Sequence, residues 1–106
     1  MPSLTIIVAT ADAARFQAAV ELAAANAALG HRTRLFLQAP AVPLLREHQG
    51  PVQLLEEAIV LGASVTACQT GLAAAGMSAM DLPEGVDTGG LIGLLSHLEE
   101  DQLLMA

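Results

Sequence analysis

Apolar residues in this chain alternate between two kinds of spacing. Leu4 to Ala9 (Leu-Thr-Ile-Ile-Val-Ala) is a continuous run rich in β-branched residues. Such a run, without clean alternation, predicts a strand covered on both faces, as in a parallel sheet. Thr10-Ala11-Asp12 follows as a loop, with Asp12 placed to cap a helix. From Ala13 to Leu29 the apolar positions Phe16, Ala19, Val20, Ala23 and Ala27 recur at helical spacing, and Arg15, Gln17, Glu21 and Asn26 take the other face. Gly30 predicts the stop.

The same alternation continues. Thr33 to Leu37 predicts a second strand, parallel to the first through a right-handed crossover. Residues 39–50 form a connection with Pro40, Pro43 and Gly50, and Val42 to Glu47 can hold a helical turn. Pro51 suits the first position of a helix with Leu54, Leu55, Ala58 and Leu61 inward, Glu56 and Glu57 outward, and Gly62 at its end. Ser64 to Ala67 predicts a third strand leading into Cys68, and a short helix from about Thr70 to Ala75 follows, stopped by Gly76. In the loop from Met77 to Gly85, Ser78 and Asp81 have the spacing of a local cap. Val86-Asp87-Thr88 predicts a short fourth strand. Gly89-Gly90 then opens a last helix with Leu91, Leu94, Leu95 and Leu98 as its buried stripe. Glu99-Glu100-Asp101 reads as a solvated acidic end, and Gln102 to Met105 as a fifth strand.

Strands and helices in strict succession predict a three-layer α/β/α sandwich around a mainly parallel sheet of about five strands. No linker, repeat or low-complexity tract divides residues 1–106, so a single domain is expected. All strand-to-helix loops of such a sheet share one edge, where ligands collect. That edge would carry Thr10 to Asp12, the 39–50 connection, Cys68 to Thr70, and Thr88 to Gly90.

Composition narrows the function classes. The net charge is −7, from four Lys plus Arg against eleven Asp plus Glu. That argues against a nucleic-acid backbone as partner. Phe16 and Phe36 are the whole aromatic content, so stacking platforms for bases are missing. Apolar residues make up 54% and charged residues 14% of the 106. So uncharged a surface on so small a domain predicts a stable homo-oligomer, whether dimer, trimer or hexamer. The last helix (Leu91, Leu95, Leu98), with Met77 and Met80, is the expected contact surface. No apolar run reaches the ~18 residues of a membrane span, and the N-terminus lacks a basic region before an apolar run. One cysteine excludes an internal disulfide and fits a reducing compartment. A cytoplasmic protein is expected.

Candidate chemistry centres on Cys68, at the switch from strand to helix. Gln69 and Thr70 begin the helix whose free N–H groups face the sulfur. A thiol at a helix start can ionise below its usual value of about 8.5, and the thiolate is the reactive form. Against this stands the ordinary behaviour of free cysteine as a small buried hydrophobe. Asp12, Arg46 and His48 fall on the same predicted edge, where a cation could stabilise a thiolate, although a plain solvated loop explains Arg46 and His48 as well. His31, His48 and His97 lack metal-ligand spacing, and no metal or cofactor site is expected. Gly89-Gly90-Leu91-Ile92-Gly93 matches neither G-x-G-x-x-G nor the P-loop. No Ser/His/Asp signature or carboxylate pair is present.

Taken together these segments resemble the DsrE/DsrF-like family of small sulfur-relay proteins, which includes the sulfurtransferase subunits TusB, TusC and TusD. The similarity rests on the opening strand with Thr10-Ala11-Asp12, the alanine-rich helix ending in Leu29-Gly30, and Leu54-Leu55-Glu56-Glu57-Ala58 with Leu61-Gly62-Ala63. It continues through Ala67-Cys68 with Leu72 and Gly76, and ends in Asp101-Gln102-Leu103-Leu104. The resemblance implies a flavodoxin-like fold, a cytoplasmic oligomer, and correspondence of Cys68 to the cysteine that carries a persulfide in active members. With one cysteine, transfer must run between chains, from a donor protein to an acceptor thiol. Two other functions compete: an oligomeric binding or assembly subunit with Cys68 merely packed, and a redox sensor in which Cys68 oxidises to a sulfenic acid.

Overall fold

The computed structural model describes residues 3–46 and 51–106. The chain runs β1 (Leu4–Val8), α1 (Ala13–Ala28), β2 (Thr33–Leu37), a 3₁₀ segment (Ala39–Arg46), α2 (Pro51–Val60), β3 (Ser64–Cys68), α3 (Gln69–Ala74), a 3₁₀ turn (Ala79–Asp81), β4 (Val86–Gly89), α4 (Leu91–Ser96) and β5 (Gln102–Met105). Local chemistry sets these boundaries. The Asp12 carboxylate accepts from the Arg15 N–H at 3.0 Å and caps α1. Pro51 opens α2, where its missing N–H costs nothing. Ser78 and Asp81 form the capping box their spacing suggested. α3 stops at Gly76, whose φ of +67° is a left-handed turn that side chains with a Cβ resist.

All five strands are parallel, in the order β4-β3-β2-β1-β5. The chain therefore steps outward from β1 to β4 and then returns to the far side of β1. Right-handed crossovers put α1, the 3₁₀ segment with α2, and α3 on one face of the sheet. The reversal before β5 sends α4 to the opposite face. The result is a three-layer α/β/α sandwich of flavodoxin-like kind.

The two faces differ in chemistry because side chains alternate along each strand. Ile6, Val8, Leu35, Leu37, Val65 and Ala67 point to the first face and form the main core with Phe16 and Val20 of α1, Leu55 of α2 and Leu72 of α3. α1 and α2 pack on one another, and small Ala27, Ala58 and Ala63 form a second buried cluster. Close approach recurs at Gly71, where a Cβ would lie 2.4 Å from the Ala39 Cα. The opposite face is mixed: buried Thr5, Ile7 and Phe36 share it with Arg34, Thr66 and Asp87.

That mixed face explains one departure from the sequence expectation. Leu91, Leu94, Leu95 and Leu98 are not a buried stripe. α4 spans six residues and none is buried. A helix that short, laid where the sheet face bears Arg34, Thr66 and Asp87, finds little apolar surface there to seal against. Two smaller departures follow from element ends. α2 closes at Val60, leaving Leu61 49% exposed rather than inward, and Met77 lies in the main core at 6% exposure, so it is no contact surface; Met80 is exposed.

Asp101 departs most from expectation. It is not a solvated acidic end: its carboxylate is fully buried and is the best-connected side chain of the mixed face. Thr5 Oγ1 donates to Oδ2 at 2.7 Å, Arg34 Nε and Nη2 donate to the same oxygen at 3.2 and 3.0 Å, and Arg32 Nη2 donates to Oδ1. Arg34 Nη2 also donates to the His97 carbonyl at 2.6 Å. Burial alone pushes the Asp101 carboxyl up, but the hydrogen bonds from Arg32, Thr5 and Arg34 outweigh it and hold the group below its ordinary value. This cluster joins β1, β2 and the segment after α4 through charged hydrogen bonds, the strongest kind.

Candidate functional site

β3 ends at Cys68, and the same residue is the N-cap of α3. Its side chain makes no capping hydrogen bond. The thiol is free and half-buried, packed against the main core on one side and reaching solvent on the other. Gln69 and Thr70 form the first turn of α3 and are exposed, at the place the sequence assigned them.

Strand order adds what spacing alone could not. In the register of the sheet Cys68 pairs with Gly89 of β4. The chain leaving β3 turns to α3 on the first face, and the chain leaving β4 turns to α4 on the other. Neighbouring strands whose connections part to opposite faces open a crevice at their carboxyl ends, and open α/β sheets bind their ligands there. Cys68 and Gly89 flank that crevice.

The remaining edge residues divide. Asp12 spends its carboxylate on the α1 cap. Arg46 is exposed and donates to the Ala75 carbonyl, at the far end of α3 from Cys68. It satisfies the helix C-terminus, at the opposite end of α3 from the sulfur. His48 lies outside the described residues. Among the described residues no cluster of three or more His, Cys, Asp or Glu could hold a metal ion. His31 is half-buried and bonds through Nδ1 to Asn26 Oδ1 at 2.9 Å.

Below the crevice, between the mixed sheet face and α4, runs a groove of about 580 Å³. Arg34, Thr66 and Asp87 rise from β2, β3 and β4 to form its floor. Gly89 and Gly90 form the end nearest Cys68, and Leu94 and His97 form the wall. A Cβ at Gly89 would come within 3.0 Å of Thr66 Cγ2, so a side chain there would crowd this end. His97 is exposed; its Nδ1 lies 2.9 Å from the Gly93 carbonyl and 3.1 Å from Ser96 Oγ. Sequence reading missed this groove. Its one visible signal is the run Asp87-Thr88-Gly89-Gly90 at a strand-to-helix turn; the participation of Arg34, Thr66 and His97 depends on strand order.

These elements define a class: a five-stranded parallel α/β protein with a free thiol at the crevice between β3 and β4. No family model matches the chain, and no curated protein matches it. Among solved structures it is similar to the ychN protein from E. coli, at 24% identity and a TM-score of 0.80 over the whole of both chains. It is similar as well to protein of unknown function MTH1491 from Methanobacterium thermoautotrophicum, at 20% identity and a TM-score of 0.84, again over both chains in full. A third is the conserved protein of unknown function BT1422 from Bacteroides thetaiotaomicron, at 17% identity and a TM-score of 0.77 over 96% of this chain and 94% of that one. Such identities establish the common fold. No helix among the described residues is long and apolar enough to cross a membrane.

Proposed function

We propose that this protein is a small sulfur carrier of the DsrE-like kind, working in the cytoplasm and holding a sulfane sulfur on Cys68. The observation that carries the reading is the position of Cys68: a half-exposed, uncommitted thiol at the crevice between β3 and β4. Gln69 and Thr70 shape the turn beside it. In loading, the Cys68 thiolate attacks the outer sulfur of a donor persulfide. A new S–S bond forms, the donor's S–S bond breaks, and the donor leaves as a thiolate that takes up a proton. In unloading, an acceptor thiolate attacks the outer sulfur of the Cys68 persulfide, and Cys68 departs as a thiolate. No oxidant or reductant is consumed, and donor and acceptor are other molecules because the chain has a single cysteine.

Incubation with a persulfide donor followed by intact mass measurement tests this. Wild type is expected to gain one sulfur, removable by a small thiol, and Cys68→Ser to gain none while keeping its circular dichroism and melting temperature. A wild-type protein that gains no sulfur, or whose thiol reacts only after unfolding, overturns the reading in favour of a packed cysteine. Gain of oxygen from peroxide, without sulfur from the donor, selects the redox-sensor reading instead.

We also propose that the carrier is a homo-oligomer. β5 is an edge strand, and its Leu103, Leu104 and Met105 are 46%, 41% and 59% exposed. Natural edges of that kind are normally covered, because bare ones pair with other chains. A second copy over β5 is the simplest cover. Light scattering that finds a monomer at micromolar concentration rejects it.

A further inference from the structure

β5 is fastened to the sheet mainly by hydrogen bonds, where the central strands are fastened by apolar packing as well. Every buried member of the two apolar clusters lies between Ile6 and Met77. From His97 to Ala106 one residue is buried, and it is the charged Asp101. Gln102, Leu103, Leu104 and Met105 are exposed, and Ala106 rests half-buried against the main core. The Gln102 N–H donates to the Ser3 carbonyl and the Ala106 N–H to the Ile7 carbonyl, each at 2.9 Å. Asp101 takes bonds from Thr5, Arg34 and Arg32, and the His97 carbonyl takes one from Arg34.

These fastenings are unequal. A ladder bond given up by an edge strand is replaced by a bond to water, so it resists opening weakly. Hydrogen bonds to a charged group are stronger, and the carboxylate of Asp101 gathers those of this stretch. The stretch therefore has one latch. It also has a strained turn. Glu99, between α4 and the latch, has a φ of +51°, and among the described residues it is the one residue other than glycine with a positive φ. Its Cβ makes that conformation costly, and the strain is relieved when the turn lets go. The ion pair of Glu99 with Arg32, at 3.8 Å between exposed side chains, is too loose to offset this.

We propose that residues 97–106 are a strap that opens as one unit while the rest of the sheet stays folded, with Asp101 as its latch and Glu99 as its hinge. Opening bares the outer edge of β1 and frees Arg32 and Arg34 together. It also releases the His97 carbonyl from Arg34, and with it the end of α4, the wall of the groove beside Cys68. The groove keeps its closed width only while the latch holds. The strap does not depend on sulfur chemistry at Cys68.

Hydrogen exchange of the native protein in low concentrations of urea tests this, because alternate amides of β1 report different events. In the parallel register Thr5 and Ile7 donate to β5, whereas Ile6 and Val8 donate to β2; Gln102, Leu104 and Ala106 donate to β1. Thr5, Ile7, Gln102, Leu104 and Ala106 are expected to exchange through one shared opening, about tenfold or more above that of Ile6 and Val8. Its dependence on urea should be about half of theirs or less, because less surface is exposed. Asp101→Asn should raise the shared opening about tenfold or more with that dependence kept. Thr5→Val, which removes one donor, should raise it about threefold and serves if the asparagine variant fails to fold. Glu99→Gly should lower it about threefold.

Exchange of the five amides with the frequency and urea dependence of Ile6 and Val8 overturns the proposal and makes β5 part of the global fold. Exchange graded from Ala106 inward, without urea dependence, overturns it in favour of fraying at a strand end. An opening that neither Asp101→Asn nor Thr5→Val raises removes the latch, and one that Glu99→Gly does not lower removes the hinge; either rejects the strap as described. Cys68→Ser should open as wild type, so failure of the sulfur reading is separable from failure of this one. The Leu103 and Met105 N–H groups point away from β1, so their protection reports a second copy over β5 and is read apart from the strap.

Discussion

Replacing Asp101 by Asn tests the buried ion cluster as the principal electrostatic support of the mixed face. In wild type the carboxylate is fully buried and takes bonds from Thr5, Arg34 and Arg32. Hydrogen bonds to a charged group are worth about 1.5–3 kcal/mol each, and breaking a buried pair costs about 3–5 kcal/mol. The Arg32 side chain is 46% exposed, so its share is at most ~1 kcal/mol. Asparagine keeps one acceptor oxygen but turns an NH₂ group towards Arg34 or Thr5. A loss of about 3 kcal/mol is expected at pH 7. Urea unfolding at fixed protein concentration reads it, and with a slope of about 1 kcal/mol/M for a domain this size the midpoint falls by about 2–3 M. The pH dependence sharpens the test. Asp101 is held below its ordinary value in the folded protein, so its stabilisation is complete above the unfolded value of about 3.9 and is lost as the pH falls through the folded value. The gap between wild type and Asp101→Asn should hold from neutral pH to about pH 4 and close below it. A gap under ~1 kcal/mol at neutral pH, or one that does not narrow in acid, refutes the account. Thr5→Val, which removes one donor, should lose about 1–2 kcal/mol and serves if the asparagine variant fails to fold.

Other expectations can be checked on the same material. Gly71→Ala would put a Cβ 2.4 Å from the Ala39 backbone, and such overpacking should cost about 1–3 kcal/mol in urea unfolding; an unchanged midpoint would show that α3 can shift freely. Gly76→Ala forces a Cβ into a φ of +67° and should cost about 1–2 kcal/mol, read the same way. Arg46→Ala leaves the Ala75 carbonyl to water, at a cost of about 0.5–1 kcal/mol. It should leave the rate of thiol labelling at Cys68 unchanged, and a slower rate would restore Arg46 to the thiol site.

What could be read from the sequence was what local spacing governs. Phe16, Val20 and Leu55 announced their helices by period, Asp12 and Pro51 their starts, and Cys68 its place at a strand end. Asp101 could not be read because its partners lie 96, 69 and 67 residues away. Seen alone it is the third member of an acidic run. The placement of β1 between β2 and β5 makes it a buried hub. The leucines of α4 misled for a related reason: their period is helical, but burial depends on the surface offered to them, and strand order assigned that surface to Arg34, Thr66 and Asp87. The crevice at Cys68 and Gly89 is likewise a property of order, invisible until β5 is known to return beside β1.

That return has a consequence for the birth of the molecule. Synthesis proceeds from the N-terminus at about 5–20 residues per second, so β1 is made several seconds before its partner β5. Until β5 arrives, β1 presents a bare edge, and Arg32 and Arg34 stand without the carboxylate that will neutralise them. The closing pair, Leu4 with Gln102, spans nearly the whole chain, the kind of distant contact that slows folding. The nascent protein is therefore open to mispairing along one edge, that of β1, and the window shuts only when Asp101 docks.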